Sequence, residues 1–535
     1  MTTVETATIT ADALHELVRS ESEYALIDVR EAGVTAAQGS ILAAVSIPLS
    51  VLELRAPLLV PRRSAPVVVY DGGTDGLAGR AAARLADLGY TDVRVLAGGL
   101  RAWAEAGHKV HTGGDHVIGQ AFGEWIEHVY ATPHISVAEY RARLAAGEDI
   151  VLLDSRPLAE YEHHSLPGGI SIPGAELVYR AGEVIRSPES LVVVHCAGRT
   201  RSILGAQVLI NAGLPNRVVA LEGGTQSWVL DGHELVHGAS VAAPPPGPDA
   251  LAAARAAAAR IAERFGIAVI DRATLARFEA EREQRTLYLL DVRTPEEFEA
   301  GHLPGSRSAP SWDLAPWAFR HIATRNARIV LVDNDGVRAT VAASWLVQIG
   351  WGRVFVLADA LAGERLETGP EPAPFELPRD GFRAVGPAEL HAALDAVTVL
   401  DVSASPAYRS GHVPGAHFVI RSRLAGTDLP GTGPIAVTST DGVSAAFAAA
   451  DLAALTNREV WWLDGGFAAW RSAGLPVESG TERWLSAPDD IVASGWREPD
   501  PQRRRAAFRR YLDWELGLVA ELAVDDTVPF RRFPD

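Results

Sequence analysis

Four stretches of the chain share one order of apolar and polar positions. Each begins with a short apolar strand that ends in aspartate, passes through a turn to a second apolar strand, and closes with a helix-like segment and a third apolar strand. The aspartates are Asp28, Asp154, Asp291 and Asp401. Continuous apolar strands separated by helical segments are typical of parallel sheets covered by helices on both faces. The pattern therefore predicts an α/β protein built from four repeats.

The spacing within the four repeats is nearly constant. The aspartate precedes the first residue of the loop after the second strand by 43, 42, 42 and 38 positions; the pairs are Asp28 and Asp71, Asp154 and Cys196, Asp291 and Asp333, and Asp401 and Ser439. Divergent copies that keep such offsets indicate repeated domains. We place these four domains at residues 8–112, 134–238, 265–372 and 383–480.

The segments outside the repeats predict how the domains are joined. Residues 239–250 are proline-rich and precede an alanine-rich helix candidate, so we expect two tandem pairs joined by a semi-rigid hinge. An aromatic stretch at residues 121–134 predicts an interdomain helix. Residues 484–535 predict a C-terminal helical extension with a solvated basic opening. Its apolar face is expected to contain Phe508, Leu512, Leu516 and Val519.

Composition and charge exclude several classes of function. The 535 residues are too many for one hydrophobic core, and 47% hydrophobic with 22% charged residues is typical of globular proteins. A net charge of −18 argues against partners that are nucleic acids or anionic membranes. The sequence shows neither a membrane-spanning run nor an export signal, so we expect a cytoplasmic location. A single cysteine excludes an intrachain disulfide and a cysteine-based metal site.

That cysteine, Cys196, stands in the loop after the second strand of the second repeat. Loop amides above a helix N-terminus form a nest for anions, and such a nest lowers the pKa of a thiol. Arg199 and Arg201 add positive charge to the loop and are expected to bind an anionic substrate. The sequence therefore predicts a reactive thiol with a lowered pKa, and a buried structural cysteine is the alternative.

In the second repeat, Asp154 and Arg156 are the candidates for supporting roles, and two histidines have expected positions. Asp154, at a strand end, is expected to cap a turn or to pair with Arg156. His195 precedes the thiol and either lies beside it or packs beneath the loop. His164 is expected at the surface.

The four copies resemble rhodanese-homology domains from about residue 8 to residue 480. The resemblance rests on the Asp-x-Arg strand ends, a Glu-Phe-x-x-Gly-His-x-Pro-Gly stretch at 297–305, a loop in which arginine follows cysteine by five positions, and Leu-x-Gly-Gly-x-x-x-Trp turns. It implies that Cys196 accepts a sulfane sulfur as a persulfide. The residues implied to bind substrate and stabilise the persulfide are Ala197, Gly198, Arg199, Thr200, Arg201 and Ser202.

The implied activity is that of the thiosulfate:cyanide sulfurtransferase class. Sulfur would move from thiosulfate or a low-molecular-weight persulfide to a thiol or cyanide acceptor, with no metal or organic cofactor. A protein acceptor and a homo-oligomer stay open. Asp71, Asp333 and Ser439 stand where the other repeats would need a thiol, so we expect those three domains to be inactive.

Two other functions are compatible with the residues. The repeats could bind partners while Cys196 holds a persulfide without turnover, as a sulfur carrier, sensor or scaffold does. A cysteine phosphatase or arsenate reductase also uses a thiolate in a nest, but such phosphatases need arginine six positions after the cysteine, where this chain has Ser202. Multiple turnover with a small acceptor distinguishes the first alternative, and hydrolysis of an aryl phosphate distinguishes the second.

Overall fold

The four predicted repeats form four separate sheets. The computed structural model describes residues 7–114, 116–363, 365–480 and 483–534, so Asp535, the predicted end of the extension, lies outside the described residues. Apart from one short strand of the third repeat, Thr324–Arg325, the strand order by position within a repeat is first, last, fourth, second and third in every sheet, and all neighbouring strands of one repeat are parallel. Across these described ranges no helix combines the length and apolar character needed to cross a membrane.

The first two repeats are joined by an interdomain helix, α6, as predicted. The first contains β1 (Ala7–Ile9), α1 (Ala11–Arg19), β2 (Tyr24–Asp28), α2 (Ala32–Gln38), β3 (Val45–Ser46), α3 (Leu52–Leu59), β4 (Val67–Tyr70), α4 (Leu77–Asp87), β5 (Val93–Leu96) and α5 (Gly99–Glu105). The linker and second repeat contain α6 (Ile118–Tyr130), β6 (His134–Ile135), α7 (Val137–Ala145), β7 (Ile150–Asp154), α8 (Leu158–His163), β8 (Ile170–Ser171), α9 (Glu176–Arg180), β9 (Leu191–His195), α10 (Thr200–Asn211), β10 (Val218–Leu221) and α11 (Gly224–Leu230).

The second half of the chain opens with the alanine-rich helix, α12. The linker and third repeat contain α12 (Pro248–Phe265), β11 (Ala268–Ile270), α13 (Arg272–Ala280), β12 (Leu287–Asp291), α14 (Pro295–Ala300), β13 (Arg307–Ser308), α15 (Ser311–Trp317), β14 (Thr324–Arg325), β15 (Arg328–Val332), α16 (Val337–Ile349) and β16 (Arg353–Leu357). The fourth repeat and extension contain β17 (Arg383–Val385), α17 (Pro387–Ala392), β18 (Thr398–Asp401), α18 (Ser405–Ser410), β19 (His417–Phe418), β20 (Ile435–Thr438), α19 (Val443–Leu455), β21 (Val460–Leu463), α20 (Gly466–Ser472) and α21 (Pro501–Leu522).

Local sequence explains where the repeats begin. In three repeats the first helix starts at a side chain that accepts a hydrogen bond from the amide three residues later, which satisfies an otherwise unpaired donor of the first turn. These N-cap residues are Thr10, Ser136 and Asp271. Strand β9, at the centre of its sheet, is buried along its whole length because helices cover both faces of the sheet.

The expected grouping into two tandem pairs is wrong. Strand β14 of the third repeat pairs antiparallel with β2 of the first, at Thr324 with Ala25 and Arg325 with Tyr24. The first and fourth repeats also meet, because Arg421 forms an ion pair with Glu53. Linker composition reports covalent order only, and these contacts join segments about three hundred positions apart or more, so the linkers did not reveal them.

The apolar face predicted for α21 is also partly wrong. Leu516 is 57% exposed, whereas Phe508, Glu515 and Leu518 are buried. The helix therefore buries a face that has the carboxyl group of Glu515 at its centre, a residue that the apolar pattern did not include. This face packs against α6 and α11, which places α21 over the loop that contains Cys196.

Candidate functional site

Cys196 lies at the carboxyl end of β9, where the chain turns into α10. Its neighbours in the loop are Ala197, Gly198 and Arg199, and the helix begins at Thr200. Ser202, in the first turn of α10, lowers the pKa of the Cys196 thiol, and its hydroxyl donates a 2.7 Å hydrogen bond to the carbonyl oxygen of Arg199. The second repeat thus places a thiol above a helix N-terminus, the arrangement expected from the sequence.

The pKa predicted for this thiol is nevertheless wrong in direction. Burial raises the pKa of the Cys196 thiol above its usual value, and the charge of Glu515 raises it further. Arg201 and Ser202 act in the opposite direction but do not overcome the loss of hydration. The sequence showed the groups of the loop that favour a thiolate, but not the cover that removes water from the sulfur, which leaves Cys196 only 2% exposed.

Arg201 is the cation that most lowers the pKa of Cys196, and two repeats hold it in place. Its guanidinium forms two hydrogen bonds of 2.8 and 2.9 Å with the carboxylate of Glu160. The guanidinium carbon also lies 4.7 Å from the ring centre of Trp317, which belongs to the third repeat. The third repeat, which has aspartate in place of the cysteine, therefore contributes a side chain to the surroundings of the thiol.

Arg199 is held by two carboxylates of α6. Its Nε lies 2.8 Å from Glu124 and its Nη2 also bonds to Glu127, both on α6. Two carboxylates therefore neutralise this guanidinium inside the protein. The pairing argues against the donor-binding role that the sequence predicted for Arg199, and indicates that this side chain fixes the loop against α6.

Asp154 and Arg156 form a fully buried ion pair beneath the loop. Nη2 of Arg156 lies 2.6 Å from the Asp154 carboxylate and also donates to the carbonyl of His164. His195 packs against the same carboxylate at 3.4 Å, and burial lowers its pKa. His164 is buried against Trp496, so the prediction that it lies at the surface is wrong.

In the other three repeats an oxygen occupies the position that sulfur has in the second. The carboxylate of Asp71 accepts hydrogen bonds from two backbone amides at 2.7 and 3.0 Å. Asp333 accepts three such bonds at 2.6, 3.0 and 3.2 Å, and Oγ of Ser439 accepts one at 3.2 Å. These side chains accept hydrogen bonds from amides of the loop or of the first turn of the helix that follows it.

Sequence reasoning missed Glu515, which α21 brings to the loop. Its Oε1 accepts hydrogen bonds from the hydroxyls of Thr200 and Tyr511, at 3.0 and 3.1 Å. Its Oε2 lies 3.1 Å from the place a β-carbon on Gly198 would occupy. One feature of the sequence could have revealed Glu515. It follows Tyr511 by four residues, so it lies on the same side of the helix, within a stripe that is otherwise apolar.

Comparison with known proteins agrees with this geometry. The profile of the Rhodanese-like domain family matches residues 10–106, 136–231, 274–363 and 386–473. The crystal structure of a thiosulfate sulfurtransferase from Pseudomonas aeruginosa is 42% identical and has a TM-score of 0.92, with 99% of this chain and 100% of that chain covered.

Two curated proteins are similar to shorter parts of the chain. A putative sulfur carrier protein, YrkF of Bacillus subtilis, is 28% identical over 141 residues, which is 24% of this chain and 72% of that protein. A sulfurtransferase of Allochromatium vinosum is 31% identical over 94 residues, which is 18% of this chain and 85% of that protein.

Proposed function

The chain belongs to the rhodanese-like domain family, and from that membership we propose that it is a sulfurtransferase whose nucleophile is Cys196. One observation carries the proposal: of four equivalent loops, only the second has a cysteine, and it lies between the carboxyl end of β9 and the N-terminus of α10. The similarity to a thiosulfate sulfurtransferase along nearly the whole chain supports the same reaction class.

The proposed reaction has two nucleophilic displacements. The Cys196 thiolate attacks the outer sulfur of thiosulfate or of a low-molecular-weight persulfide, the donor's sulfur–sulfur bond breaks, and sulfite or a thiolate leaves with the electron pair. The loop from Ala197 to Ser202 then surrounds the persulfide with N–H groups that stabilise its charge. Cyanide or a thiolate acceptor attacks the outer sulfur and returns the Cys196 thiolate.

Within this proposal the arginines of the loop have different roles. Arg201 supplies the positive charge for an anionic donor, and Glu160 and Trp317 orient it. Arg199 positions the loop through Glu124. Asp154 and Arg156 support the strand end without contacting substrate.

The other three repeats are proposed to be inactive in sulfur transfer. The residues at their loop positions are Asp71, Asp333 and Ser439, and none forms a transferable bond to sulfur. Their contribution is structural, through the contacts that place Trp317 and α21 around the second repeat.

Intact-mass measurement tests the proposal most directly. Protein incubated with thiosulfate should gain one sulfur atom per chain, on Cys196, and should release it to cyanide as thiocyanate over many turnovers. Cys196→Ser should gain none, because an alkoxide neither forms readily at neutral pH nor makes a labile bond to sulfur. Sulfur transfer by Cys196→Ser would refute the proposal.

The burial of Cys196 favours a second candidate, a sulfur carrier that holds a persulfide without turnover. Cys196 is 2% exposed and lies beneath α21, so a sulfur bound to it is shielded from nucleophiles in solution. A protein acceptor that displaces the helix would then release the sulfur. Stoichiometric loading without multiple turnover, using either cyanide or glutathione, would select this candidate.

A further inference from the structure

The C-terminal helix α21 places an acidic side chain in the same buried site as the thiol. Glu515 is fully buried, and Cys196 is 2% exposed. Oε1 of Glu515 accepts two hydrogen bonds, but none of the described residues hydrogen-bonds to Oε2. An ionised carboxylate with one unsatisfied oxygen in a dehydrated site is costly. The helix therefore adds to the loop a carboxyl whose charge state depends on its neighbours.

Charged and titratable groups face Glu515 from three elements. They are Glu124 on α6, Arg199 and Cys196 in the loop, and Tyr511 on α21 itself. Burial, together with the charge of Glu124, raises the pKa of Glu515 to about 7, although Arg199 acts in the opposite direction. Arg199 is already engaged by Glu124 and Glu127, so it compensates little of the charge on Glu515.

We propose that Cys196 and Glu515 share a single negative charge, so that Glu515 is a positioning residue that sets the pH at which the sulfur becomes nucleophilic. The resting site holds a carboxylate and a protonated thiol. When the Sγ–H bond breaks, a proton taken up by the Glu515 carboxylate balances the proton lost, and the charge moves to sulfur. The two groups then titrate as a pair, because two negative charges in one buried site repel each other.

This inference rests on the proposed role of Cys196 and deepens it. It gives the C-terminal extension a function in the chemistry of the second repeat, although the two lie more than three hundred positions apart in the chain. It also explains why a thiol with a raised pKa stands in a loop built to hold an anion. The loop favours the thiolate, and the ionised carboxylate of α21 opposes it.

The test is the rate of Cys196 alkylation by iodoacetamide as a function of pH, in the full chain. The midpoint of this curve reports the pKa of the thiol, whereas the plateau at high pH reports access of the reagent to the sulfur. Glu515→Gln keeps the size and hydrogen-bonding capacity of the side chain but removes its charge. We expect the midpoint to fall by about one pH unit, a tenfold change in the ionisation constant, with the plateau unchanged.

Two further variants make the result specific. Asp513→Asn removes a carboxylate from the exposed side of the same helix and should leave the midpoint unchanged. Phe508→Leu loosens the buried face of α21 without changing any charge and should raise the plateau. An unchanged midpoint in Glu515→Gln overturns the inference. A lowered midpoint that is accompanied by a raised plateau, and is reproduced by Phe508→Leu, also overturns it, because loss of cover would then explain the shift.

The proposed function is tested separately. Alkylation needs no sulfur transfer, so thiosulfate loading and turnover of the unaltered protein report on the function while the midpoint reports on Glu515. In the same variants, the rise of kcat/KM for thiosulfate with pH should begin at lower pH in Glu515→Gln than in the unaltered protein or in Asp513→Asn. A common pH profile for all three would contradict the inference even if every protein transfers sulfur.

Discussion

Gly224, the first residue of α11, lies against the backbone of Cys196. A β-carbon on Gly224 would stand 2.0 Å from the carbonyl oxygen of Cys196, and the φ of Gly224 is +47°, in the left-handed region. The contact lets the amide of Thr225 donate a 2.9 Å hydrogen bond to that carbonyl oxygen. The close contact therefore requires glycine at position 224, the second glycine of the Gly-Gly turn, and it holds the backbone of the cysteine loop in place.

Gly224→Ala should disrupt the loop. The added methyl group meets backbone atoms, which cannot move aside without displacing Cys196, and displacements of this size lower turnover by about 100-fold. Gly232→Ala is the matched control: its φ is also positive, at +87°, but its β-carbon would meet no described atom within 4 Å. That variant should lose about 1–2 kcal/mol of stability and keep its turnover. Equal turnover in the two variants would contradict the proposed geometry.

Trp317→Ala should weaken sulfur transfer although the residue belongs to a repeat without a thiol. The ring lies on the guanidinium of Arg201, and its loss leaves the ion pair with Glu160 to hold that cation. We expect kcat/KM for thiosulfate to fall about threefold to tenfold, equivalent to about 0.7–1.4 kcal/mol of cation–π stabilisation. Trp317→Phe keeps an aromatic face and should recover part of the loss. An unchanged kcat/KM in Trp317→Ala would show that the third repeat does not contribute to the active site.

Asp333→Ala should affect stability and leave turnover nearly unchanged. The carboxylate accepts three backbone hydrogen bonds inside the third repeat, and leaving buried amides without partners costs about 1–3 kcal/mol. Chemical denaturation measures that loss, and thiosulfate turnover is the control. A loss of turnover beyond about tenfold would show that this loop takes part in catalysis or gating.

The interface between the first and fourth repeats should show a pH-dependent stability. Burial raises the pKa of Glu31 to about 7 from 4.5, where its carboxylate accepts hydrogen bonds from Ser422 and Ser50. The folded protein therefore retains between these pH values a proton that the unfolded chain releases, so stability falls as pH rises through that window. Glu31→Gln should raise the free energy of unfolding at pH 8, by about 3 kcal/mol at most, and have little effect at pH 4.

Glu53→Gln, at the same interface, is the matched variant with the opposite sign. Burial favours its protonated form, but hydrogen bonds and charge from Arg421, with the charge of Arg84, hold the pKa of Glu53 below its usual value. Here ionisation stabilises the folded state, and this stabilisation is lost as pH falls through the folded pKa. Removing the charge should destabilise the protein at pH 8. If both variants change stability in the same direction, the assignment of the two carboxyls is wrong.

Local pattern was sufficient for the parts of the structure that local sequence determines. The strand-end aspartates predicted the carboxyl ends of β2, β7, β12 and β18. Cys196, the one cysteine of the sequence, marked the loop that follows β9. These features depend on residues close in the chain: apolar runs form buried strands, and Asp154 pairs with Arg156 two positions on.

The features that sequence reasoning missed all depend on distant segments. The position of Trp317 against Arg201 requires the third repeat to pack on the second, and no periodicity reports that contact. Glu515 was not among the residues predicted for the buried face, because a hydropathy pattern selects only apolar side chains, yet buried groups of α6, of the loop and of α10 surround it. The raised pKa of Cys196 follows from this cover, so the wrong sign for the thiol and the missed carboxyl have the same cause.

Strand β14 has a consequence for how the chain acquires its structure during synthesis. The edge of β2 at Tyr24 and Ala25 has its antiparallel neighbour only when Thr324 and Arg325 have been made, about three hundred residues later. Until then the nascent first repeat presents an unpaired strand edge, which is a template for pairing with other chains. A fragment that stops at the end of the first or second repeat keeps that edge permanently. We therefore expect such fragments to self-associate. A chain that continues through β14 covers the edge of β2 with its own strand.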